Sequence, residues 1–188
     1  MRYNKKDRQK KIYRLRKMIM TKINIVLVEP EIPQNTGNIS RTCAVTGTHL
    51  HLIKPYGFEL SERTVRRAGL DYWPKLNLSE YSGLDEFFKL NPNANIYYFT
   101  TKADKNYAQV QYKPGDFLMF GKETAGLPEW LIKENYAHAV RVPMLDWARS
   151  LNLSNTVALA LYEALRQNGF DGLEEQGALT GRSEEGLY

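Results

Sequence analysis

The sequence predicts an α/β domain, a mainly parallel sheet with helices on both faces. Short apolar runs alternate with helical patterns along most of the chain, the signature of strands linked by crossover helices. The first run, Ile23-Asn24-Ile25-Val26-Leu27-Val28, is nearly all apolar, as a parallel strand covered on both faces requires. In 153–167 Leu153, Val157, Leu161 and Leu165 recur every four positions, which lays one buried stripe along a helix.

The elements follow in order. The first strand ends at Glu29-Pro30-Glu31-Ile32-Pro33, because two prolines cannot continue a ladder. Further strands are expected at His49–Ile53, Leu76–Leu78, Ile96–Phe99, Asp116–Phe120 and Ala137–Val142, with helices near 38–46, 62–69, 83–90 and 128–134. Asn168-Gly169 supplies a left-handed stop just past the last helix. The expected organisation is a basic arm at 1–20, one domain over 21–170 and an acidic, glycine-containing tail at 171–188. Met18 and Met20 offer alternative starts close to the first strand.

Composition limits the function. The single cysteine, Cys43, cannot form an internal disulfide and points to a reducing cytoplasm. No apolar run reaches the roughly 20 residues of a membrane span, and no apolar segment follows the basic arm as it would in a secretory signal. Nine of the 26 Lys and Arg lie in residues 1–17 against one acid, Asp7; the rest of the chain holds 17 basic and 20 acidic residues, net −3. Any affinity for nucleic acid must therefore come from the arm or from a local patch rather than from an overall basic field.

Three segments carry chemistry. Pro33-Gln34-Asn35-Thr36-Gly37-Asn38-Ile39-Ser40-Arg41 follows the first strand, where α/β proteins place ligands. Gly37 permits backbone geometry closed to other residues. Arg41, three after Asn38, shares its face if a helix begins there. A capped turn with a surface arginine is the plain structural reading. Phe117-Leu118-Met119-Phe120-Gly121-Lys122-Glu123-Thr124-Ala125-Gly126-Leu127-Pro128 runs an apolar strand into a glycine-flanked turn. It is no phosphate loop: five residues separate Gly115 from Gly121, and Glu123, not Ser or Thr, follows Lys122. Ser150-Leu151-Asn152-Leu153-Ser154-Asn155 opens the last helix with more amides and hydroxyls than one cap needs.

Together with Arg66-Arg67-Ala68-Gly69-Leu70-Asp71-Tyr72 and Arg141-Val142-Pro143-Met144, these segments, in this order, resemble the SPOUT class of RNA methyltransferases and, within it, the TrmL (YibK-like) subfamily. The resemblance covers about residues 22–170. It implies a SPOUT fold with a C-terminal deep trefoil knot, a homodimer, and transfer of methyl from S-adenosylmethionine, leaving S-adenosylhomocysteine. It implies as substrate the wobble nucleotide, position 34, of leucine tRNAs, a cytidine or carboxymethylaminomethyluridine. It places Phe99, Gly121, Val142, Met144, Ser150 and Leu151 at the cofactor, and Arg41, Asn35, Glu123 and Asn152 on the catalytic side. Arg41 is expected to stabilise the developing alkoxide as a donor, since a guanidinium is no base at neutral pH.

For RNA contact the densest cluster of basic and stacking groups is Arg63, Arg66 and Arg67 with Tyr72 and Trp73; a solvated helix face is its plain reading. No metal is expected: His49 and His51 share a strand face, but Cys43 and His138 lack a spacing that would join them. Two other readings stand beside the wobble assignment: a related enzyme acting on another tRNA or ribosomal RNA site, and a catalytically silent RNA-binding module, against which the intact Arg41, Gly121 and Asn152 argue.

Overall fold

The computed structural model describes residues 23–58 and 73–177. β1 (Asn24–Val28) leads into α1 (Pro33–Thr46) and β2 (His49–Ile53); β3 (Asn77–Tyr81), α2 (Leu84–Leu90), β4 (Ile96–Phe99), β5 (Phe117–Phe120), α3 (Glu129–Glu134), β6 (Ala139–Val140) and α4 (Leu153–Gln167) follow. The six strands form one sheet in the order β3-β2-β1-β5-β4-β6, and every pairing is parallel. The expected parallel α/β sheet is thus observed.

Alternation along β1 shows why both faces are covered. Ile25 and Leu27 join Leu50, Leu118 and Phe120 in a core closed by Ile39 and Cys43 of α1 and Val157 and Leu161 of α4. Val26 and Val28 join Met119 in a second core closed by Phe87 of α2 and Leu131 and Ile132 of α3. A strand with a core on each face has no polar side to offer, hence its unbroken apolar run.

Three elements depart from expectation by more than one residue at an end. α1 begins at Pro33, five residues early: a proline at the first helical position loses only an N–H that has no partner there anyway. Asn35, Thr36 and Gly37 are therefore buried in the first turns of a helix rather than lying in a loop, and Gly37 is not serving a turn. Gly47 (φ 70°) ends the helix as its left-handed cap. β3 runs to Tyr81. β6 keeps only Ala139–Val140, because a 3-10 turn takes Tyr136–His138. The helix expected at 62–69 lies outside the described residues, as do the arm at 1–20 and the end of the tail.

In α4 the stripe is present: Val157, Leu161 and Leu165 are buried and Leu153 partly so. Beyond it Phe170 N–H returns to Leu165 O and Gly169 sits at φ 67°, the stop read from Asn168-Gly169.

Candidate active site

β1, β5 and β4 are consecutive neighbours, so their carboxyl ends open side by side. Above them lies a cavity of about 500 Å³, within the range of small-molecule sites. Its floor is the stacked pair Phe99 and Phe120, the last residues of β4 and β5, with centroids 4.5 Å apart. Val142, Met144, Ser150 and Leu151 wall it from the segment that leads to α4, and the turn 121–127 closes it from β5.

That turn is folded tightly on itself. Gly126 N–H donates to Lys122 O at 2.9 Å, and Gly126 adopts φ 70°. A Cβ on Gly121 would fall 2.0 Å from Gly126 C and 2.1 Å from Leu127 N, so no other residue fits under the returning chain. The demand for glycine thus comes from the turn's own backbone.

The polar end of the cavity is a relay of three side chains. Glu123 accepts from Glu31 N–H at 2.9 Å, Ile32 N–H at 3.2 Å and Asn35 Nδ2 at 2.9 Å, placing a carboxylate at the start of α1, where the helix dipole favours it. Asn35, 5% exposed, accepts through Oδ1 from Asn152 Nδ2 at 3.0 Å. Asn152 caps α4, its Oδ1 accepting from Asn155 N–H at 3.2 Å and Ser154 Oγ at 2.7 Å. The relay ties the entry of α1, the turn after β5 and the entry of α4 into one frame, with the orientation of both amides set by their partners.

Every position assigned to the cofactor lines this cavity, and so do Asn35, Glu123 and Asn152. Arg41 does not. It is exposed on α1, about 9 Å along the axis from Asn35 and turned about 120° from it. Arg63, Arg66, Arg67 and Tyr72 lie outside the described residues. Sequence reasoning missed Thr100–Lys102 after β4, and also Arg149, which lines the cavity and forms no ion pair among the described residues. The position of Thr100–Lys102 at a strand's carboxyl end was the available signal. No cluster among the described residues could hold a metal ion, and no described helix is long and apolar enough to cross a membrane.

A parallel sheet with a glycine turn and a helix entry meeting over its carboxyl edge defines an α/β enzyme of the ligand-binding kind. Residues 22–162 match the SpoU rRNA methylase family, and the chain belongs to it; it is a methyltransferase of the SPOUT class. A tRNA (cytidine(34)-2′-O)-methyltransferase of Saccharophagus degradans is 47% identical over 150 residues, 79% of this chain and 97% of that protein. A solved structure concerned with 2-OH methylation of C/U34 on tRNA shares 40% identity at a TM-score of 0.72, covering 79% of this chain and 97% of that one. An AdoMet-bound rRNA methyltransferase of Sinorhizobium meliloti shares 26% identity at a TM-score of 0.69, covering 77% of this chain but 56% of its own.

Proposed function

We propose that this protein transfers a methyl group from S-adenosylmethionine to the ribose 2′-hydroxyl of nucleotide 34 of tRNA. The carrying observation is the convergence on one cavity of every cofactor position with Asn35, Glu123 and Asn152. Two facts favour tRNA over ribosomal RNA. The relative named for cytidine 34 is matched over 97% of its length, whereas the ribosomal enzyme is matched over 56%. The finer substrate is cytidine or carboxymethylaminomethyluridine of leucine tRNAs, in the cytoplasm.

The cavity suits the cofactor. Phe99, Phe120, Val142 and Leu151 offer apolar walls for a flat ring, and the turn at Gly121 brings backbone groups to its edge. When bound, S-adenosylmethionine supplies an already activated methyl group. The chain's task is then chiefly to align donor and acceptor. Asn35 and Asn152, locked by Glu123 and the α4 cap, hold the acceptor end of the cavity in one shape. Arg149 at the rim takes an RNA phosphate.

Arg41 donates to the oxygen as it loses its proton, but it does not line its own chain's cavity. We therefore place the reaction in a homodimer. α1 and α4 pack together on one face of the sheet, and their outward residues include the exposed Val45, Leu159 and Tyr162. Pairing these faces carries Arg41 of one copy toward the cavity of the other. The trefoil knot of the SPOUT fold belongs to the same reading.

The test is methylation of total tRNA with methyl-labelled cofactor, followed by mapping of the modified ribose. A 2′-O-methyl group at position 34 is expected. A methyl group placed elsewhere, or on ribosomal RNA alone, overturns the proposal.

A further inference from the structure

We propose that Glu31 is a positioning residue for methyl transfer, joining the cofactor turn to the acceptor-side amides. The inference rests on the cavity being the cofactor site.

Consecutive residues of the turn after β5 are each tied to the segment that leaves β1. Lys122 Nζ donates to Glu29 Oε2 at 2.6 Å. Glu123 accepts from the N–H groups of Glu31 and Ile32. Thr124 donates twice to the Glu31 carboxylate, through N–H at 3.0 Å and through Oγ1 at 2.9 and 2.8 Å. Glu29 supports the arrangement from an unusual backbone, φ 50° in a residue other than glycine, a conformation that persists where its surroundings hold it.

Glu31 alone works in both directions. Its carboxylate reaches forward to Thr124, in the middle of the turn that Gly121 and Gly126 shape. Its own N–H reaches the Glu123 carboxylate, which holds Asn35 and through it Asn152. A shift of this one residue therefore disturbs the cofactor wall and the amide relay together.

Gly57 braces Glu31 from behind. Gly57 N–H donates to Pro30 O at 3.0 Å, and a Cβ on Gly57 would stand 2.8 Å from Glu31 Cα and 2.9 Å from its carbonyl oxygen. Contacts that close force backbone to move. Residue 57 does not line the cavity, so Gly57→Ala displaces Glu31 without touching the site.

The two demands on the side chain, reach and charge, can be separated. Glu31→Gln keeps an acceptor oxygen at the right distance and loses the charge. Glu31→Asp keeps the charge and falls one methylene short of Thr124. S-adenosylhomocysteine affinity by calorimetry, kcat at saturating cofactor and melting temperature are measured for wild type, Glu31→Ala, Glu31→Asp, Glu31→Gln and Gly57→Ala. Glu31→Ala should weaken S-adenosylhomocysteine by about tenfold to a hundredfold, as loss of charge-assisted hydrogen bonds does, and lower kcat as well. Glu31→Gln should recover most of both, Glu31→Asp little, and Gly57→Ala should follow Glu31→Ala. A folded Glu31→Ala with wild-type affinity and kcat overturns the proposal, and so does Glu31→Asp outperforming Glu31→Gln. Should Glu31→Ala fail to fold, the order of Gln and Asp decides. Wild-type protein that binds no S-adenosylhomocysteine removes the site reading as well; wild-type binding with indifferent Glu31 variants removes this inference alone.

Discussion

Two hydrogen-bonded polar clusters sit on the same sheet, and among the described residues it is the Glu123–Asn35–Asn152 group that lines the cavity. The Glu123–Asn35–Asn152 relay lies beyond the carboxyl ends of β1 and β5, at the entries of α1 and α4. The other lies within the sheet: His51 of β2, 3% exposed, meets Tyr81 Oη through Nδ1 at 2.8 Å and Asn24 Oδ1 through Nε2 at 3.3 Å, and stacks on His49 with centroids 4.1 Å apart. Their buried members, Asn35 and His51, are both hydrogen-bonded, as buried polar groups must be. Their chemistry is similar; their topology differs. Strand ends open onto loops that can shape a cavity, whereas mid-strand side chains are roofed by the next layer. The histidine cluster thus belongs to the packed sheet and the amide relay to the cavity where the proposed reaction is placed, and each can be struck separately.

The largest effect should come from the functional end. Gly121→Val drives side-chain atoms into Gly126 and Leu127, whose backbone lies 2.0 and 2.1 Å from the first added carbon. The turn must open, and S-adenosylhomocysteine should no longer raise the melting temperature, a rise that ligand linkage makes measurable in wild type. A folded Gly121→Val with the full wild-type shift would separate the turn from the cofactor.

Arg41→Ala comes next. Its effect should fall on kcat, by about a hundredfold to a thousandfold, as for loss of a donor to a developing oxyanion, with S-adenosylhomocysteine affinity unchanged. Because Arg41 does not line its own chain's cavity, the dimer reading adds a sharper result. Mixed Arg41→Ala and Gly121→Val dimers should recover activity that neither pure variant has. No recovery in mixed dimers shown to form would return Arg41 to its own chain.

The histidine cluster should answer to pH. Burial, then the neighbouring His49, lowers the His51 pKa from 6.5 to about 3. As pH falls below 6.5 the unfolded chain takes up a proton that the folded chain refuses, so stability declines between 6.5 and about 3 and is retained above that window. The slope approaches about 1.4 kcal/mol per pH unit for one such group. His51→Gln, whatever its cost at neutral pH, should flatten the decline and leave S-adenosylhomocysteine affinity at pH 7.5 unaltered. An unchanged slope would mean that other groups govern acid unfolding.

What was legible in the sequence follows the same division. An unbroken apolar run revealed β1 and a four-residue repeat revealed α4, because each burial pattern is local. The start of α1 was obscured by prolines that read as a break, although Pro33 is the first helical residue. That shift matters: with the helix beginning at Pro33, Asn35 lines the cavity and Arg41, about a turn and a half further on, does not. The ties of Glu29 to Lys122 and of Glu31 to Thr124 each span 93 positions and exist because β5 pairs with β1. Strand order is not written in any local pattern. The positions proposed for the cofactor came from the family resemblance, since single glycines and valines carry no chemical signal of their own.

The smallest effect should come from outside both clusters. Residues 1–17 carry nine basic groups and one acid, while the remainder is net −3. Such an arm attracts phosphate without reading bases. Every residue assigned to cofactor or acceptor lies after Val28, so a protein starting at Met20 should bind S-adenosylhomocysteine as before and methylate the same nucleotide. The arm's contribution should appear in tRNA affinity, and mainly at low salt, because its contacts release counterions and are weakened as salt rises. Removing it should flatten the dependence of log Kd on log salt, and the two proteins' affinities should converge at high salt. Equal slopes would show that the arm does not contact tRNA. A folded, truncated protein without transferase activity would extend the catalytic unit into the arm and undo the domain boundary at residue 21.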